Sequence, residues 1–173
     1  MKRVAIIVGT IVVVLSGLLV WAQQSAPPLP ESARADQVVV KKSAHLLELY
    51  RGSVLLRSYH VSLGRDPHEP KRREGDGRTP EGKYVLDYRN ASSAFHRALH
   101  ISYPSVADVA AAKAQGVSPG GLIMIHGIKK GLGLVGRLHT LIDWTNGCVA
   151  VTNLEIEEIW RAVPDGTPIL IEP

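Results

Sequence analysis

Short apolar runs separated by turn residues recur from Gln37 to the end of the chain, and this spacing constrains the fold most strongly. Such runs are typical of β-strands, and the tight turn at residues 51–53 favours an antiparallel meander. Only two helices are predicted, at residues 106–115 and after a capping box at residues 152–155. The predicted strands cover residues 37–42, 44–50, 54–63, 83–88, 98–103, 122–126, 149–151 and 167–171. With little β-α-β alternation, the sequence predicts a mainly β fold, a mixed-sheet sandwich or open barrel with helical decorations.

The N-terminus has the composition of an export segment. Met1, Lys2 and Arg3 form a basic start, and residues 4–22 are almost wholly apolar. We predict that residues 1–22 are a cleaved signal peptide or, alternatively, an N-terminal membrane anchor. Because Lys2 and Arg3 favour the inner side of the membrane, the rest of the chain is predicted to be exported to the periplasm or cell envelope, with membrane contact only through this segment.

The rest of the composition indicates the domain organisation and argues against nucleic-acid, metal and cofactor binding. Residues 23–36 hold three prolines and are predicted to be a Pro-rich linker, which leaves residues 37–173 as one domain. The net charge of +4 is mild and its basic residues are dispersed, so no nucleic-acid partner is predicted. The seven histidines form no recognised ligand pair, and neither a metal nor another cofactor is predicted.

The only cysteine, Cys148, follows an Asn146-Gly147 pair and precedes an apolar run. A lone exported thiol is an apolar filler, an intermolecular linker or a reactive group. Asn and Gly suit a tight turn, and backbone N–H groups in such a turn can face an oxyanion. Upstream, an apolar strand ends at His126, which can serve as the base that a thiol needs at neutral pH. Together these features favour a cysteine nucleophile.

Other residues are candidates for assisting this pair. His139 lies nine residues before Cys148 and is an alternative base or substrate contact, although a surface or supporting position is the simpler interpretation. His96 and His100 are either groove-lining or structural. The polar loop at residues 64–82 carries several arginines, and Arg78 is the candidate for holding a substrate carboxylate. Asn146 and Tyr103 complete the predicted substrate-binding set.

A resemblance to a known family enters at these residues. Ile125-His126-Gly127, a spacer and Thr145-Asn146-Gly147-Cys148 resemble the signature of the L,D-transpeptidase (YkuD-like) catalytic domain. Residues 77–82 and 164–169 resemble further family segments, so the likeness covers residues 37–172. Asn146 stands where most members have a second histidine, and the spacer is longer than usual. Trp144 and the following residues resemble a divergent branch with a Trp-Thr-x-Gly-Cys core.

The resemblance implies the matching fold and a reaction on peptidoglycan stem peptides. Cys148 would attack the third residue of a tetrapeptide stem, forming a thioester as D-alanine leaves. An amine of another stem, or a lysine of a wall-linked lipoprotein, would then accept the acyl group. His126 would be the proton donor and acceptor, and the Gly127 carbonyl would orient it. The Gly147 and Cys148 N–H groups would bind the oxyanion, with help from Asn146. The alternatives are a hydrolytic variant (an L,D-carboxypeptidase, endopeptidase or lipoprotein-releasing amidase) and a non-catalytic wall-binding module.

Overall fold

The structure is a computed structural model that describes residues 2–24 and 26–173. Three α-helices and a kinked 3₁₀ segment accompany eight β-strands. In chain order the elements are α1 (Lys2–Ala22), β1 (Gln37–Lys41), β2 (Leu46–Arg51), β3 (Val54–His60), β4 (Gly82–Asn90), β5 (Ala98–Ile101), α2 (Val106–Ala114), β6 (Met124–His126), the 3₁₀ segment (Gly133–Leu141), β7 (Val149–Ala150), α3 (Asn153–Ala162) and β8 (Thr167–Glu172).

All eight strands belong to one mixed sheet with the order β3-β2-β1-β8-β4-β5-β6-β7. The predicted meander forms β1, β2 and β3, which pair antiparallel in sequence order. The last strand, β8, lies between β1 and β4, where it runs parallel to β1 and antiparallel to β4. β6 pairs antiparallel with β5 and parallel with β7. The prediction of a mainly β, mixed-sheet fold with helices is confirmed.

The two ends of the sheet meet, so that it curls into a half-barrel. Just after β3, Ser62 forms an isolated antiparallel bridge with Ala150 of β7. The Ser62 N–H donates to the Ala150 carbonyl at 3.0 Å, and the Ala150 N–H donates back at 2.8 Å. The third strand was predicted to run to residue 63, but it ends at His60 because the chain leaves β2 there and crosses to β7.

Helix α3 covers the sheet with one apolar face, on which Ile156 and Ile159 are fully buried. Its predicted capping box is present, since the Thr152 side chain accepts from the Glu155 N–H and the Glu155 side chain accepts from the Thr152 N–H. Side chains that satisfy the free N–H groups of the first turn stabilise a helix by about 1 kcal/mol. The capping box therefore starts α3 only a few residues after Cys148.

The segment predicted to be a linker is packed on the domain. Leu29 and Ala35 are buried in the main core. The Ala35 N–H donates to the carbonyl of Ala162 at 2.8 Å, and an Arg57 N–H donates to the Pro27 carbonyl at 2.6 Å. Residues 27–35 therefore cross α3 and β3 in contact with both.

Within residues 2–24 and 26–173, no helix is both long enough and apolar enough to cross a membrane. The end of α1 contacts the 3₁₀ segment, where the Gln23 side-chain amide donates to the Leu134 carbonyl at 2.7 Å. The signal peptide or anchor stays a prediction.

Candidate active site

The pairing of β6 with β7 brings the two predicted catalytic residues to one cavity. Ile125 lies opposite Val149, and His126 lies opposite Ala150. Cys148 directly precedes β7 and so lies next to Met124. Because side chains two residues apart on a strand share a face, Met124 and His126 point to the same side. Both line the cavity that Cys148 also lines.

The cavity has a volume of about 460 Å³, a size typical of small-ligand sites. Its wall is largely apolar and aromatic, and besides Cys148 and His126 it contains one ionisable side chain, Lys129. The lining residues are Ser93, Phe95, Ala98, Leu122, Met124, His126, Lys129, Trp144, Thr145, Asn146 and Cys148.

The turn before Cys148 is held by the buried Thr145 hydroxyl. Thr145 Oγ1 accepts the Gly147 N–H at 3.1 Å and donates to the Cys148 carbonyl at 2.8 Å. Gly147 has φ +120°, and a Cβ there would lie 2.4 Å from the Arg78 carbonyl oxygen, so the position requires glycine. Since its N–H is already engaged, Gly147 does not present the free oxyanion donor that the sequence predicted.

His126 is buried and held in one tautomer. Its Nδ1 lies 2.7 Å from the Gly127 carbonyl oxygen, which can only accept, so Nδ1 carries the proton and Nε2 has a free lone pair. This is the carbonyl to which the sequence assigned the orienting role. Phe95 and Trp144 pack on the imidazole, with ring centroids 4.6 Å and 5.7 Å away. Burial lowers the pKa of His126 below its ordinary value, while the Gly127 carbonyl raises it.

The surroundings of Cys148 favour the neutral thiol over the thiolate. Burial raises the pKa of the thiol above its ordinary value, and the Met124 backbone amide and the charge of Lys71 act in the opposite direction. Its Sγ lies 3.7 Å from the Leu122 carbonyl oxygen, which can accept the thiol proton. Leu122 has φ +55°, a backbone conformation uncommon for a residue with a side chain. Together, the raised pKa of Cys148 and the lowered pKa of His126 favour a thiol beside a neutral imidazole.

His139 is buried behind Trp144 and does not line the cavity. The Trp144 indole N–H donates to its Nδ1 at 3.5 Å, and Ser62 Oγ lies 3.1 Å from the same nitrogen. Among the residues that the structure describes, His139 Nε2 has no hydrogen-bond partner. Burial lowers the pKa of His139 to about 4, with a smaller effect from His126. The position of His139 agrees with a supporting role behind the cavity wall rather than with the predicted contact to substrate.

Of the other predicted substrate contacts, only Asn146 reaches the cavity. It is exposed at the rim, where its Oδ1 accepts from Arg65 Nη2 at 2.6 Å. Arg78 is paired with Asp66 at 2.9 Å and contributes its carbonyl to the contact with Gly147. Tyr103 is buried elsewhere and donates to a backbone carbonyl. Neither Arg78 nor Tyr103 lines the cavity that contains Cys148, so the structure does not bring these two predicted contacts to it.

Sequence reasoning missed Phe95, Leu122 and Lys129 as cavity residues. Phe95 is the only phenylalanine of the chain, and this rarity could have marked it as a candidate cavity residue. No comparable indication in the sequence marked Leu122 and Lys129, because their exposure to the cavity depends on how β5, β6 and β7 pair. In the described part of the chain, no three His, Cys, Asp or Glu side chains come together as a metal site.

Comparison with known proteins gives the same family as the sequence motifs. The model of the YkuD L,D-transpeptidase catalytic domain matches residues 35–171. A curated relative is YafK of Escherichia coli (strain K12), which is named as an L,D-transpeptidase. It is 27% identical over 177 aligned residues, which cover 94% of this chain and 64% of YafK. The chain thus spans less than two thirds of that relative's length.

Solved structures support the fold. The helical cell shape determining protein Pgp2 from Campylobacter jejuni superposes with a TM-score of 0.60 at 24% identity, covering 91% of this chain and 54% of Pgp2. An L,D-transpeptidase from Mycobacterium smegmatis superposes with a TM-score of 0.52 at 15% identity, covering 80% of this chain and 59% of the other. Since the family model covers most of the chain and the fold agrees, this protein belongs to the YkuD family of L,D-transpeptidase catalytic domains.

Proposed function

We propose that the protein is a peptidoglycan L,D-transpeptidase in which Cys148 is the nucleophile and His126 the proton donor and acceptor. One observation carries this proposal. Cys148 and His126 line the same apolar cavity from neighbouring strands, and His126 Nδ1 is bonded to the Gly127 carbonyl at 2.7 Å. That bond leaves Nε2 unprotonated, as a general base requires.

In the proposed first half-reaction, the thiol proton moves to His126 Nε2 as sulfur attacks the carbonyl of the third stem residue. A C–S bond forms, and the carbonyl oxygen gains negative charge. With the Gly147 N–H engaged by Thr145, the Cys148 N–H is our candidate oxyanion donor. The C–N bond then breaks, and His126 returns the proton to the amine of the departing D-alanine, which leaves a thioester.

The acceptor distinguishes the possible second half-reactions. An amine of another stem would complete a cross-link, and a lipoprotein lysine would attach that protein to the wall. Water would make the enzyme a carboxypeptidase or endopeptidase. Any of these substrates lies outside the cytoplasm, so we propose an exported protein, in agreement with the basic and apolar start of the chain.

The full chain incubated with purified tetrapeptide muropeptides tests this proposal, with products followed by mass. We expect a cross-linked dimer that has lost one D-alanine. Cys148→Ala, checked for an unchanged unfolding midpoint, should form none. Loss of D-alanine without a dimer, dependent on Cys148, would replace the transpeptidase with a hydrolase. No product from folded wild-type protein would exclude tetrapeptide muropeptides as the donor.

A further inference from the structure

The cavity has a single charged side chain on its wall. Apart from the Cys148 and His126 pair, which is neutral at rest, Lys129 is the one ionisable group among the lining residues. The rest of the wall is apolar, aromatic or neutral polar. A carboxylate that enters such a cavity loses part of its hydration and needs a cation or several N–H donors to replace it.

The backbone holds Lys129 in place from both sides. The Ile128 N–H donates to the Asn153 side chain at 2.8 Å, and the Lys130 N–H donates to the Ala94 carbonyl at 2.9 Å. The lysine is therefore presented to the cavity by hydrogen-bonded backbone on both sides, whereas its neighbour Lys130, which is equally exposed, does not line the cavity.

The Lys129 ammonium group is also uncommitted. Within residues 2–24 and 26–173 no salt bridge includes Lys129, whereas acids elsewhere in the chain are paired with other cations. Asp66 is paired with Arg78 and Asp143 with His45, each at 2.9 Å. An exposed, unpaired cation at the rim of an apolar cavity is suited to a ligand anion rather than to a structural role.

We propose that Lys129 binds the free carboxylate at the C-terminus of the acyl donor, and so selects stem ends over internal peptide bonds. This inference rests on the proposed function. In a tetrapeptide donor the scissile nitrogen is attached to the carbon that bears the terminal carboxylate. That carboxylate consequently enters the cavity beside Cys148 and meets the one cation there. A D-alanine whose carboxyl is amidated or part of a longer chain brings no charge to Lys129.

Two synthetic tetrapeptide donors that differ only in a terminal D-alanine acid or D-alaninamide test the inference. Wild-type full chain should prefer the acid in kcat/KM by about tenfold, the usual effect of one charge-assisted contact. Lys129→Ala should lose the preference through a higher KM for the acid, with the amide donor changed less than twofold. Lys129→Arg should retain it, and Lys130→Ala, the same change one residue away, should match wild type. Retention of the acid preference by Lys129→Ala would overturn the inference.

Alkylation of Cys148 gives a second readout that needs no peptide turnover. Iodoacetate carries a carboxylate next to its reacting carbon, whereas iodoacetamide does not. The alkylation rate with iodoacetate divided by the rate with iodoacetamide should fall severalfold in Lys129→Ala. In Lys130→Ala this ratio should stay at the wild-type value. If neither peptide is turned over and the ratio still falls, the carboxylate site stands and the proposed reaction fails. An equal ratio in the three proteins would overturn the carboxylate site.

Discussion

At the scale of single residues, the surroundings of Cys148 and His126 favour the neutral form of both side chains. Burial in the apolar cavity disfavours both the Cys148 thiolate and the His126 imidazolium, so it raises the first pKa and lowers the second. Under the proposed mechanism, the proton would then transfer only when substrate is present. The Gly127 carbonyl contributes by fixing the tautomer rather than by charging the ring.

This arrangement predicts two different pH dependences. Alkylation of Cys148 by iodoacetamide should keep rising through pH 8 to beyond pH 9, because it needs the thiolate and the pKa of this thiol is raised. Turnover of a donor peptide should instead lose activity only below the ordinary imidazole pKa of about 6.5, because burial lowers the pKa of His126. His126→Asn should lower kcat by at least about 100-fold while leaving alkylation at pH 9 similar. An alkylation rate that is already constant from pH 6 would show a thiolate–imidazolium pair.

At the scale of elements, residues 27–35 behave as part of the domain. Leu29 is buried against the core, and the Arg161 side chain of α3 donates to its carbonyl at 2.9 Å. On the same helix, Glu158 accepts the Leu29 N–H and the Tyr59 hydroxyl. The segment thereby links α3 to β3, whose continuation reaches the active-site strand β7.

We expect Leu29→Ala to destabilise the protein by about 2–3 kcal/mol, the usual cost of truncating a buried leucine. The matched control is Leu154→Ala on α3, where the leucine is 59% exposed and the same change should cost less than about 0.5 kcal/mol. Urea unfolding followed by tryptophan fluorescence measures both. Equal unfolding midpoints for the two variants would show that the segment is not part of the cooperative unit.

At the scale of the whole molecule, closure of the sheet buries groups that titrate. The bridge between Ser62 and Ala150 joins the ends of the sheet, and His139 lies beneath it with Ser62 Oγ 3.1 Å from its Nδ1. Folding therefore holds His139 neutral, whereas the unfolded chain can protonate it at its ordinary pKa of about 6.5.

The free energy of unfolding should therefore fall as the pH is lowered from about 6.5 towards 4. In this window the unfolded chain binds a proton that folded His139, with its pKa of about 4, does not. The contribution reaches roughly 3 kcal/mol at most, and His126 acts in the same direction. Urea titrations at several pH values should give a shallower dependence for His139→Gln. The same replacement at exposed His60 is the control, and equal slopes for wild type and His139→Gln would contradict the assignment.

The sequence alone determined the strand-rich fold class and the α3 capping box, and its motifs singled out Cys148 and His126, which line one cavity, because periodicity, capping and short motifs are local properties of the chain. The insertion of β8 between β1 and β4, and the burial of His139 and Tyr103 away from the cavity, were decided by the tertiary structure. The tertiary structure also decided that Lys129 and Cys148 line the same cavity. These features depend on which distant strands pair, and the surroundings of a side chain follow from that pairing rather than from its neighbours in sequence.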